Sequence, residues 1–114
     1  MKTKCLIACA NEVIVYGLYS LLNEQTDMEC VEANEDGEVD LKGLISRYHP
    51  DVLVVDQQNK YYPYLTSLLP LTQYQDLVVI VLENDKNLIQ IYRKGEMIVS
   101  SNTDLIAVIR NRWR

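Results

Sequence analysis

"HPDVLVVDQQNK" occupies residues 49–60. An apolar run, Val52-Leu53-Val54-Val55, lies between two carboxylates, Asp51 and Asp56. An unbroken branched run of this length predicts a strand covered on both faces, as in parallel sheets. His49-Pro50 stops the helix before it, because the residue preceding proline is pushed out of the α region. The strand delivers one acid, Asp56, at its carboxyl end, where open α/β sheets place their chemistry. The same acid is also how an ordinary strand enters a loop, by hydrogen-bonding backbone amides.

Working outward, "TKCLIACA" (3–10) and "DLVVIVLE" (76–83) are two further strands of the same buried type. "NEVIVYGLYSLLNEQ" (11–25) changes period. Val13, Tyr16, Leu18, Leu21 and Leu22 lie close to one helical stripe, with Asn11 as N-cap and Glu12 in the first turn. "MECVEA" (28–33) alternates as a strand, and "NEDGE" is a turn cluster. "VDLKGLISRY" (39–48) has helical spacing. "YYPYLTSLLPL" (61–71) predicts a short helix with Pro63 in its first turn. "SNTDLIAVIRNRW" (101–113) is a final helix, acidic at its start and rich in arginine at its end.

The segment 84–100, "NDKNLIQIYRKGEMIVS", admits two readings. One is a helix over 87–94, capped by Gly95, then a strand over 96–100. The other is two alternating strands, "LIQIY" and "EMIVS", around an "RKGE" turn. The regular alternation of the earlier segments favours helix then strand.

The resulting β-α-β-α order predicts an α/β domain over residues 1–114: a three-layer, doubly wound, parallel five-stranded sheet whose fourth helix is the open point. Such a sheet gathers Cys9, Ala10, Asn11, Asp56, Gln57, Glu83, Asn84 and Ser100 on one rim.

Composition narrows the classes. At 48% hydrophobic residues the chain can bury a core without metal or disulfides. Net charge is −5 and the 11 basic residues are scattered, which argues against direct nucleic-acid binding. The basic tail "RNRWR" is a helix end. Three cysteines (Cys5, Cys9, Cys30) in apolar settings read as reduced, packed thiols. With no membrane-length apolar run and no signal-peptide architecture, a soluble cytoplasmic location is expected.

The segment order and strand ends resemble the receiver domain of two-component response regulators. "LIACANEVIVYGLYSLL" is similar to the first strand and helix of the NarL/LuxR-like branch, down to the Gly-Leu of "YGL". "RYHPDVLVVD" is similar to that family's third strand, which ends in the phosphoacceptor aspartate. The resemblance spans nearly the whole chain and implies a flavodoxin-like receiver fold with Asp56 at the acceptor position.

Receiver chemistry needs two acids after the first strand to hold Mg²⁺, a Thr or Ser ending the fourth strand, and a Lys ending the fifth. These groups screen the repulsion between a carboxylate and a phosphoryl donor. Here the acid pair falls on Cys9 and Ala10, neither of which ligates a hard cation. A shift of one or two residues brings in Asn11 and Glu12. The Thr/Ser position holds Glu83 and the Lys position Ser100. Lys60 stands where the family usually has proline, and Glu83 to Ser100 is shorter than usual. Asp56 and Glu83, if close, would repel unless Lys60 or Lys86 offset them.

The resemblance therefore implies an atypical, phosphorylation-independent signalling module, not an enzyme and without a cofactor. It would act by binding a protein partner or by homodimerisation through the last helix and its neighbours. As the regulatory domain of a transcriptional regulator it would reach DNA only through a further domain after Arg114. The alternative is a phosphoacceptor response regulator that uses Asp56 with a rearranged Mg²⁺ site.

Three other residues or clusters are candidates. Cys9 lies where sugar-phosphotransferase IIB domains carry a phosphocysteine, but "CANEVIV" lacks the glycines and hydroxyls that would cradle a phosphate. His49 reads as a cap or surface group, since no Ser or Cys partner is recognisable. Of the eight tyrosines, Tyr61, Tyr62 and Tyr64 around Pro63 form either an exposed patch for a partner or part of the core.

Overall fold

The computed structural model describes residues 2–9, 12–32, 41–56, 76–83, 89–100 and 105–110. The expected helix over 61–71 with its tyrosines, the "NEDGE" turn, Lys60, Lys86 and the final "NRWR" lie outside the described residues. The elements are β1 (Thr3–Ala8), α1 (Glu12–Asn23), β2 (Met28–Glu32), α2 (Leu41–Tyr48), β3 (Val52–Asp56), β4 (Val78–Leu82), β5 (Ile89–Arg93), β6 (Glu96–Ser100) and α3 (Leu105–Arg110).

The fold is α/β, with one six-stranded sheet in the order β2-β1-β3-β4-β5-β6. The first four strands are parallel, and β3 is buried at all five positions, as its apolar run requires. Alternate side chains build two cores. Cys5, Ile7, Val52, Val54, Val78 and Ile80 pack under Leu18 and Leu22 of α1 and Leu105 and Ile109 of α3. Leu6, Ala8, Leu53, Val55, Val79 and Val81 pack under Leu44 and Ile45 of α2. Helices therefore cover both faces and make three layers.

The expected all-parallel five-stranded sheet is corrected at its far edge. Residues 89–100 form an antiparallel hairpin, not a helix followed by a strand. The turn explains why. Lys94 and Gly95 both have positive φ, 51° and 77°, between the paired residues Arg93 and Glu96. Two central residues with positive φ are the mark of a type I′ turn, whose twist matches the flanking strands. Period-two alternation in "IQIYR" prevails over the helical reading.

Helix α1 also faces differently from the expected stripe. Ile14, Val15, Leu18 and Leu22 pack inward. Val13 and Tyr16 are 80% and 75% exposed, and Leu21 lies at the surface with Tyr19.

Helix α2 ends as the sequence predicts. His49 sits in the left-handed region with φ 49°, and its N–H donates to the Ile45 carbonyl at 2.8 Å, a single-bond C-cap. Pro50 is buried behind it and Asp51 immediately precedes the next strand. At the same amino end of the sheet but on its other face, Arg110 of α3 grips Asp27 through two nitrogens, at 3.1 and 3.0 Å, and donates to Gln25 at 2.8 Å. That pair is about half exposed, so it contributes at most about 1 kcal/mol. Among the described residues no helix is long and apolar enough to cross a membrane.

Candidate functional site at the carboxyl rim of the sheet

Strand β3 carries Asp56 to its end, where the carboxylate is fully buried at 0% exposure. Alternation places it on the α1/α3 face, following Val52 and Val54. Burial of a charge is expensive unless partners stabilise it, and Asp56 does have interaction partners.

Cys9 lies one step beyond the Ala8–Val55 register pair, alongside Asp56. Its thiol points at the Val54 carbonyl, with sulfur and oxygen 3.7 Å apart. Burial pushes the Cys9 thiol up from its ordinary value, and the Asp56 charge pushes it further the same way. Both effects penalise the thiolate, so at neutral pH the group beside Asp56 is a protonated thiol. It is neither a ligand for a hard cation nor an activated nucleophile.

Glu83 follows β4, and its carboxylate is engaged elsewhere. Gln90 Nε2 donates to Glu83 Oε1 at 2.6 Å, and Tyr92 Oη donates to Gln90 Oε1 at 3.0 Å. Gln90 and Tyr92 are registered with Val81 and Val79 on the α2 face. The expected repulsion between Asp56 and Glu83 is corrected by this geometry: the chain that holds Glu83 runs on the face opposite Asp56. Sequence reading missed Gln90 and Tyr92 because it preferred a helix there. As a strand, their spacing of two puts them on one face.

Ser100 ends β6, not the strand beside β4. The Cα register runs Asp56, Leu82, Ile89, Ser100 across four strands. Ala10 and Asn11 lie outside the described residues. His49 is exposed at the amino end of β3, away from this rim.

Among the described residues no three His, Cys, Asp or Glu side chains gather into a metal-binding group. The Mg²⁺ that the receiver resemblance implies does not fit the described donors, since Asp56 has a protonated thiol for a neighbour. What the rim offers is a buried acid, a packed thiol and, on the other face, a separate hydrogen-bonded row of Tyr92, Gln90 and Glu83. Compared with family models, curated proteins and solved structures, the chain matches none of them.

Proposed function

We propose that the chain is an atypical receiver-like module with a flavodoxin-like frame, which signals by contact with a protein partner or a second copy and not by aspartyl phosphorylation. The observation that carries this reading is the pairing of buried Asp56 with the protonated Cys9 thiol. A phosphoacceptor needs its neighbouring positions to supply oxygen ligands for a divalent cation. A thiol that resists ionisation supplies none.

The receiver part of the reading is supported by the parallel order β2-β1-β3-β4, by helices on both faces, and by an acid at the end of β3. In this reading the family's last strand is replaced by the β5–β6 hairpin. Met97 and Val99, about half exposed on β6, pair with Tyr92 and Gln90 on the α2 face, opposite the last helix, and the contact surface takes in this edge. The module has no catalytic activity of its own and works in the cytoplasm. Any contact with DNA comes through a further domain.

The test is incubation with Mg²⁺ and acetyl phosphate, or with beryllofluoride, followed by mass spectrometry or NMR at Asp56. No modification is expected. Stoichiometric modification that disappears in Asp56→Asn would overturn the reading and establish a phosphoacceptor with a rearranged metal site.

A further inference from the structure

We propose that Cys5 and Cys30 are a modification site, an intrachain dithiol that a peroxide converts to a disulfide linking β1 to β2. The two residues are direct Cα partners in the parallel β1–β2 ladder. Both side chains belong to the core beneath α1, beside Leu18 and Leu22. Neighbouring strands run about 4.8 Å apart, inside the Cα separation that a disulfide spans. Parallel in-register Cβ atoms stay near that spacing, whereas a relaxed disulfide draws them to about 3.5–4.5 Å. Closing the bond therefore pulls the strands together by some tenths of an ångström.

The movement falls on β2. Among the described strands β2 is at the sheet edge and pairs on one side only, with β1. An edge strand also opens locally more readily than a central one, which gives the oxidant its access. The third thiol cannot compete. Cys9 lies four residues beyond Cys5, and at about 3.3 Å per residue that is roughly 13 Å along the strand, outside disulfide reach. One connectivity remains.

The electrons balance in two steps. Cys30 is buried in the closed strand. Once the edge strand opens it ionises, and its thiolate attacks the peroxide oxygen and becomes a sulfenic acid as the O–O bond breaks, releasing water or an alcohol. Cys5 then attacks the Cys30 sulfur, the S–S bond forms, and the sulfenic oxygen leaves as water. Two thiols are oxidised and one peroxide is reduced. Because the bond is strained it belongs to the labile class that mild thiols reverse. In the oxidised state β1, α1 and β2 are closed into one covalent loop, which fixes the edge strand under α1. This inference is independent of the receiver reading.

The experiment treats the native chain with hydrogen peroxide, then counts thiols in denaturant and maps peptides by mass spectrometry. Thiols are expected to fall from three to one, with a Cys5–Cys30 linked peptide in monomeric protein and recovery of all three on adding glutathione. Cys30→Ser should keep both remaining thiols unlinked. Retention of three thiols, linkage through Cys9, linkage only between chains, or over-oxidation of Cys30 without a disulfide would each overturn the proposal. The peptide map on unmodified sequence gives the answer even if the variant folds poorly.

Discussion

The Asp51 carboxylate accepts a hydrogen bond from the Lys4 backbone N–H at 2.8 Å, while the Asp51 N–H donates to the Lys4 carbonyl at 2.9 Å. The Asp51 carbonyl in turn accepts from Val78 at 3.1 Å. One residue thus joins the starts of β1, β3 and β4. Asp51→Ala is expected to cost about 1–2 kcal/mol, since it orphans a part-buried N–H, whereas Asp51→Asn keeps an acceptor and most of that stability. Urea unfolding at neutral pH measures both, and equal stabilities for the two variants would remove the role assigned to the side chain.

Alkaline pH should weaken the fold through Cys9. The folded thiol is raised above its ordinary 9.0, by burial first and by Asp56 second. Above pH 9.0 the unfolded chain loses a proton that the folded chain keeps. The contribution is therefore complete below pH 9.0 and lost as pH rises beyond it. Comparing unfolding free energies of the wild type and Cys9→Val between pH 7 and pH 10 isolates the effect. The wild type should lose more stability than the variant over that interval.

Lys94 holds a conformation that suits asparagine or glycine better than lysine, with φ 51° at the first central position of the hairpin turn. Lys94→Asn creates the Asn-Gly pair that type I′ turns prefer. A gain of about 0.5–1 kcal/mol is expected, comparable with other changes that relieve or pre-set a backbone conformation. Thermal or urea unfolding reads it. A loss would mean that the lysine makes a contact worth more than its strain.

The orientation of α1 can be checked by truncation. Leu22 is fully buried, so Leu22→Ala should cost about 2–5 kcal/mol. Val13 faces outward, and Val13→Ala should stay within about 0.5 kcal/mol. Similar costs for both would restore the stripe that the sequence pattern suggested.

Met97→Lys and Val99→Lys test the contact surface. Both positions are about half exposed on β6. The double variant should fold with near-normal stability and lose self-association, measured by sedimentation, or lose binding to whatever partner the wild type retains. Unchanged association would move the contact surface away from this edge.

The parallel frame was legible because β3 and β4 are continuous branched apolar runs, and β1 carries a shorter apolar run from Cys5 to Ala8. Such runs suit few structures other than doubly covered strands. The α1 face was not, since "VIVY" and "LL" offer apolar side chains in almost every direction. Periodicity alone could not choose between Val13 with Tyr16 and Ile14 with Leu18. The hairpin was visible as an alternative, and its deciding signal was the Lys94-Gly95 pair, not the average pattern of the segment. Asp56 was placed correctly at a strand end. Its burial, and the holding of Glu83 by Gln90 and Tyr92, depend on contacts between segments whose spacing the sequence does not display. Asp51 is the clearest such case, because its partner lies 47 residues away.

The row Asp56, Leu82, Ile89, Ser100 sets how far apart its two ends stand. Three strand spacings separate them, about 14 Å. No hydrogen bond or ion pair spans that distance, so a side chain written in at position 100 would reach Asp56 only through the two strands between. Among the described strands the hairpin thus insulates the buried acid from whatever meets the outer edge of the sheet.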